Sequence, residues 1–209
     1  MIIAVDGPTA SGKGTIAKAL AAHYGLPHLD TGLLYRAVGR QVFLSGGDPD
    51  DPADALAACD FPEKLLKDSA LRDEVTGGFA SRVSVHHDVR EALFERQRSF
   101  ALQEGGAVLD GRDIGTVIAP EADVKLFVTA STEARAKRRH KEMIERGTDV
   151  PLEVIVGDLE RRDERDRNRD EAPLRAAKDA VILDTSDLDK DGAIAAAIDA
   201  VDKRSGRAK

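Results

Sequence analysis

The chain has 209 residues, 42% of them apolar and 33% charged, with a formal net charge of −7. That length and apolar share support a single α/β domain with a real core and room for a small insertion. The same numbers exclude several classes: no apolar stretch approaches the roughly 18 residues that cross a bilayer, the acidic balance argues against a nucleic-acid binder, and the lone cysteine, Cys59, cannot form an internal disulfide.

The first residues, Met1–Asp6, turn charged too soon for a secretory signal and read as a strand over Ile2–Val5. A helical pattern over Thr15–Tyr24 follows, closed by Gly25 as a C-terminal cap. Pro27–Leu29 is a weaker strand. Helical spacing returns over Leu33–Leu44, ended by Gly46-Gly47. From about Asp48 to Gly78 the rhythm breaks, opening on Asp48-Pro49-Asp50-Asp51-Pro52, and a small insertion over the sheet is expected there. Helix Val89–Leu102, strand Ala107–Leu109, strand Val124–Val128, helices Thr132–Ile144 and Leu152–Arg169, strand Ala180–Leu183 and helix Ala193–Val201 complete the series. Short uninterrupted strands alternating with helices predict a parallel sheet covered on both faces. The tail after Val201 is polar and expected to fray. Cys59 is expected to be a small buried residue, and His86-His87 to be helix-start or surface histidines. Without a disulfide or a Cys/His cluster, a reducing cytoplasm is the expected setting.

Between the first strand and first helix lies Gly7-Pro8-Thr9-Ala10-Ser11-Gly12-Lys13, which fits G-x-x-x-x-G-K in the right context. A helix N-terminus offers unpaired N–H groups and a positive dipole end. Glycines let the backbone wrap close to phosphate oxygens, and Lys13 reaches the β and γ phosphates. Gly14 stands where serine or threonine usually follows the lysine, so the hydroxyl moves on to Thr15. The motif then predicts ATP binding with Mg²⁺ held mainly by nucleotide oxygens and water, Thr15 and Asp110 acting through water rather than by direct ligation.

Three later strings address the acceptor. In Asp30-Thr31-Gly32-Leu33-Leu34-Tyr35-Arg36, Asp30 or Thr31 suits a helix N-cap and Arg36 offers a phosphate-binding fork. Leu109-Asp110-Gly111-Arg112-Asp113 follows a strand, where open α/β sheets bind ligands. There Asp110 faces the Mg²⁺ waters, Arg112 an anion and Asp113 a base amino group; in isolation the string is equally a tight Asp-Gly turn. In Arg161–Arg169, residues Arg162, Arg165, Asp166 and Arg169 fall on one helical face, able to surround a transferring phosphoryl group or to form a salt-bridged surface.

In order along the chain, GPTASGKGT, DTGLLYR, the stretch Ser81–Arg98, LDGRDIGTVIAPEADVKLFVTAS, RAKRR, RRDERDRNR and VILDTSDL resemble the bacterial cytidylate kinases. The resemblance spans most of the chain apart from roughly residues 46–70. It implies a P-loop nucleoside-triphosphatase-like, three-layer fold: a five-stranded parallel sheet in a core of 1–36, 81–135 and 170–209, a short monophosphate-binding insertion at about 37–80, and a lid at about 138–169. It implies transfer of a phosphoryl group from ATP to CMP or dCMP with Mg²⁺. A cytoplasmic monomer with no nucleic-acid or membrane partner is expected. Gly7 to Thr15 would hold the ATP phosphates. Asp30, Thr31 and Tyr35 would border the acceptor, and Arg36, Arg112 and Arg72 would grip its phosphate. Ser81, Arg90 and Asp113 would read cytosine, which offers an N4 donor and N3/O2 acceptors. Uracil presents an acceptor to Asp113 instead, so UMP is expected to be a poor substrate. Arg162 and Asp166 would meet the ribose, and Arg138, Arg165 and Arg169, with Lys13, would surround the moving group. No general base is needed for an acceptor oxygen already anionic near neutral pH.

The stretch between Arg36 and Ser81 is shorter than in the longer enzymes of that family, and Thr31 stands where serine is common. Two other readings use the same loop. A shikimate- or gluconate-type kinase would lack a cytosine reader; a regulatory nucleotide-binding module would bind without turnover. A GTPase switch would want D-x-x-G, but Asp110 leads to Asp113.

Overall fold

The computed structural model describes residues 1–206. Its centre is a five-stranded, all-parallel sheet: β1 (Ile2–Asp6), β2 (His28–Asp30), β3 (Ala107–Gly111), β4 (Val124–Thr129) and β5 (Val181–Asp184), in the order β2-β3-β1-β4-β5. Around it lie α1 (Lys13–Tyr24), α2 (Thr31–Ser45), α3 (Pro52–Ala57), α4 (Glu74–Val83), α5 (His87–Ala101), α6 (Thr132–Glu145), α7 (Leu152–Asn168) and α8 (Lys190–Ser205).

The sheet is covered on both faces, which is why its strands are apolar runs rather than alternating ones. Ile3 and Val5 of β1 pack with Ile16 and Leu20 of α1 and Ala197 and Val201 of α8. Ala4, between them, points the other way and joins Leu109, Ile114 and Ala101 at the end of α5. The order places a topological switch between β1 and β3, where Asp6 and Gly111 are in register at the carboxyl ends. Asp6 accepts hydrogen bonds from the Ile114 and Gly115 amides, both at 2.8 Å, and so fixes the loop after β3 to the end of β1.

The segment without strand signals contains α3, two short 3-10 turns and the start of α4. It builds its own cluster with α2 and α5, around Leu34, Val38, Phe61, Leu71, Val83 and Leu93. Helix α4 was not foreseen, because Gly77-Gly78 lowers intrinsic helicity. Packing overrides that preference: a Cβ on Gly39 of α2 would lie 2.7 Å from the Ala80 amide nitrogen, so α2 and α4 touch backbone to backbone. Helices α6 and α7 share a small cluster of Ala136, Met143, Ile155 and Leu159.

Two smaller expectations change. Helix α8 runs past Val201 to Ser205 and is capped by Gly206, so the described part of the tail is ordered helix; residues 207–209 lie outside the described residues. Cys59 is half-buried, its thiol donating to the Ala55 carbonyl, and burial pushes it up to about 11. His86 precedes α5 and bonds the Pro49 carbonyl at 2.9 Å, while His87 is exposed beside Glu171 at 2.7 Å.

Candidate active site

The loop from Gly7 to Lys13 wraps between β1 and α1 in a conformation its glycines permit. Gly7 has φ of 155° and no room for a side chain, since a Cβ would lie 2.0 Å from the Val128 carbonyl oxygen. Gly12, at φ of 89°, occupies the N-cap position of α1, so the amides that open the helix face the loop. Lys13 donates to the Pro8 carbonyl at 3.2 Å. Burial pushes Lys13 down to about 7, helped by Arg112 and opposed by Asp110, Asp30 and Asp166. The Ser11 hydroxyl is buried with no hydrogen-bond partner among the described residues. A cradle with an unpaired buried hydroxyl and a buried lysine fits a triphosphate.

Two spaces open on either side of this loop. One, of about 400 Å³, is lined by Ala10, Ser11, Gly12, Thr15, Arg138, Thr185 and Leu188. Thr185 Oγ1 donates to the Ser11 carbonyl at 3.0 Å and accepts from Arg138 at the same distance. The other is a narrow pocket lined by Thr9, Tyr35, Arg36, Ser81, Arg90, Arg112, Asp113, Arg162, Asp166 and Arg169. Arg112 bridges the two halves, donating to Thr9 Oγ1 at 2.7 Å and to Asp166 at 2.8 Å. At the far end, the buried Asp113 carboxylate is held by Arg90 and, at 3.4 Å, by Arg169. The Arg90 guanidinium also lies over the Tyr35 ring, 5.7 Å from its centre.

The glycine-rich loop thus faces a pocket with arginines at one end and a buried carboxylate at the other. The family model for cytidylate kinases matches residues 3–203. The chain belongs to the cytidylate kinase family. A cytidylate kinase of Xanthobacter autotrophicus is 57% identical over 208 residues, covering 99% of this chain and 100% of its own. One from Rhodopseudomonas palustris is 54% identical, covering 99% of each chain. Among solved structures, an uncharacterized protein from Eubacterium ventriosum matches with a TM-score of 0.56 at 18% identity, over 97% of this chain and 98% of its own; it shares the fold.

Measured against the roles implied for a cytidylate kinase, most acceptor residues converge and several do not. Asp30 lies beside Lys13 and Asp110 and is not among the lining residues of the acceptor pocket, although Thr31 and Gly32 are; burial raises its carboxyl first, and Asp110 adds to that. Asp30 is the N-cap residue of α2 but makes no capping bond through its side chain. Thr31 borders the pocket, but its hydroxyl is spent on the Asp110 carbonyl at 2.8 Å. Arg72 is exposed and lines a neighbouring cleft, not the acceptor pocket; Arg36 instead bonds the Leu71 carbonyl at 2.8 Å.

The arginines Arg138, Arg165 and Arg169, expected to close together around the transferred group, are apart. Arg138 faces the Ser11–Thr185 side. Arg165 reaches Ser81 Oγ at 2.6 Å from the outer rim, and Arg169 belongs with Asp113. Arg165 lies on α7 and Arg169 is its C-cap residue, while Arg138 comes from α6; adjacent helical residues differ by about 100°, so Arg138 and its neighbour Arg139 enter different spaces.

Arg139 of α6 and Arg162 of α7 line a cleft of about 440 Å³ between the α6–α7 pair and α4, with Thr9 also on its wall. Sequence reasoning passed over Arg139, and over Arg135, whose guanidinium is 2% exposed and makes a two-point pair with Asp163 at 2.6 and 3.1 Å. Arg135 also donates to the Thr9 carbonyl at 3.1 Å, bracing the phosphate loop against α7. The one available signal was Arg139 in phase with the apolar face of α6, three residues after Ala136 and four before Met143.

Beside the loop, the buried Asp110 and the part-buried Asp30 form an acidic pair next to Lys13. Asp110 Oδ1 is 2.6 Å from His28 Nε2, and its Oδ2 lies 3.6 Å from where a Cβ on Gly14 would sit. Hard oxygen donors beside a phosphate cradle fit Mg²⁺, which keeps several waters when bound with phosphates.

Proposed function

We propose that this chain transfers the γ-phosphoryl group of ATP to CMP and dCMP, giving CDP and dCDP. The observation that carries the reading is the continuity of Lys13, Thr9, Arg112 and Asp113: a donor loop joined by one arginine to a pocket that ends in a buried carboxylate. Asp113 accepts from the cytosine amino group, and Arg90 and Ser81 serve the remaining base edge. Arg36 and Arg112 hold the acceptor phosphate, Asp166 the ribose, and Gly7 to Thr15 the ATP phosphates. The Ser11–Thr185 space, with Arg138 on its wall, takes the donor nucleoside.

Phosphoryl transfer asks the protein mainly for positioning and charge compensation. Lys13, Arg112, Arg162 and Arg139 offset the repulsion between two polyanions. Asp110, Asp30 and Thr15 are the residues that would hold Mg²⁺, which would supply charge neutralisation on the triphosphate. Residues 138–169 act as a lid that closes over the phosphates and keeps water away, and residues 37–80 as the monophosphate-binding insertion. Among the described residues no helix is long and apolar enough to cross a membrane. We place the enzyme in the cytoplasm as a monomer acting on small nucleotides.

The test is a coupled ADP-release assay with ATP and, separately, CMP, dCMP, UMP and AMP. Rapid turnover with the first two and little with the others supports the reading. ADP release that no nucleoside monophosphate stimulates would leave a kinase of another acceptor class.

A further inference from the structure

Glu74, in the first turn of α4, has no part in the roles given above, yet it is the acid on which two arginines of the α6–α7 pair converge. Arg139 donates to its Oε1 through Nε at 2.5 Å and again through a terminal nitrogen, and Arg162 donates to Oε2 at 2.8 Å. The other terminal nitrogen of Arg139 goes to Glu142 at 2.9 Å. Each of the three Arg139 guanidinium nitrogens thus already donates to a carboxylate.

A third arginine stands close by. A Cβ on Gly77, one turn along α4, would lie 3.1 and 3.2 Å from the terminal nitrogens of Arg36 and 3.2 Å from one of Arg162. The crowding has a cost: Arg36 is pushed down to about 10, by burial first and then by Arg162 and Arg139. Burial raises the Glu74 carboxyl, but Arg162 and Arg139 outweigh that and hold it below its usual range. The carboxylate therefore sits where the insertion, the α6–α7 pair and the phosphate path meet.

We propose that Glu74 is a built-in competitor for the nucleotide phosphates: it neutralises Arg139 and Arg162, ties α4 to α6 and α7, and gives both arginines up when phosphate oxygens arrive. A phosphate brings more charge and more acceptor oxygens than a carboxylate, so it wins the exchange. Substrate affinity is lowered by the fraction of molecules in which the arginines are still engaged. The competitor also keeps three guanidinium groups from repelling one another in the empty protein. This inference rests on reading the cleft as the phosphate path.

The experiment is calorimetric titration of the full chain and of its Glu74→Gln and Glu74→Asp variants with CMP and with inorganic tripolyphosphate. Glutamine keeps the shape and removes the charge. Aspartate keeps the charge but is too short to span both arginines. Tripolyphosphate is expected to bind Glu74→Gln about threefold to tenfold more tightly than the parent, with Glu74→Asp between them, and CMP to follow the same order. Equal or weaker tripolyphosphate binding in both variants overturns the proposal and makes Glu74 a residue that positions the arginines. Should tripolyphosphate tighten as expected while CMP binds neither parent nor variant, the competitor stands and the acceptor assignment fails.

Discussion

Arg112 donates a 2.7 Å hydrogen bond to the hydroxyl of Thr9, so an arginine of the acceptor pocket is tied directly to the donor loop. Its other contact, Asp166 at 2.8 Å, comes from α7. One planar fork thereby sets the spacing of the loop, the pocket and the α6–α7 pair. Arg112→Ala is expected to lower kcat/KM for CMP by about 100-fold to 1,000-fold, and Arg112→Lys to recover little, because a single ammonium cannot satisfy two partners in a fixed fork. Steady-state kinetics checks this; a loss under tenfold in the alanine variant would separate Arg112 from the reaction.

Lys13 supplies a pH dependence. In the free protein burial, with Arg112, brings it down to about 7, whereas a bound triphosphate favours its charged form. Binding of a non-hydrolysable ATP analogue should then take up a proton above pH 7, and affinity should fall by up to about tenfold per pH unit there. For the free protein the sign is opposite. The unfolded chain holds the Lys13 proton between about 7 and 10.5, where the folded one does not, so this group makes stability rise with pH across that window. Lys13→Met should remove both slopes. Identical pH profiles for parent and variant would rule out Lys13 as their source.

Asp113 is held between Arg90 and Arg169. Asparagine in its place keeps an acceptor and adds a donor that uracil can use. Asp113→Asn should raise the CMP KM and reduce the preference for CMP over UMP by tenfold or more. Competition assays with the two monophosphates report the ratio directly, and an unchanged ratio would reject the base contact.

The Arg135–Asp163 pair is a matter of stability. Both side chains are buried, at 2% and 5% exposure, so losing Arg135 leaves Asp163 with only the exposed Arg167 at 3.8 Å. Arg135→Leu is expected to cost about 3–5 kcal/mol and to lower Tm by about 10 °C. The Arg135→Leu/Asp163→Leu double variant should lose less than either single change, because no charge is left unpaired. Calorimetric melting of all three variants tests it; a double variant less stable than both singles would contradict the pairing argument.

What the sequence made legible is local. The loop at Gly7–Lys13 and the strands β1, β3, β4 and β5 are written in consecutive residues, and a parallel sheet buried on both faces leaves an apolar run that can be read directly. Helix α4 was hidden because its stability comes from close contact with α2 at Gly39, a tertiary effect that outweighs Gly77-Gly78. The acceptor pocket was largely readable, since Arg112 and Asp113 sit on one turn. The arginines beside the phosphate path were not: whether Arg138 or Arg139 faces it depends on how α6 is rotated against its neighbours, and Glu74 meets its partners 65 and 88 residues away.

The most direct measurement is a crystal structure of the chain with CMP and a non-hydrolysable ATP analogue. Cytosine is expected against Asp113, the CMP phosphate on Arg36 and Arg112, and the triphosphate on the loop at Lys13 with its terminal phosphate facing the CMP. Cytidine monophosphate bound anywhere other than between Asp113 and Lys13 would contradict it.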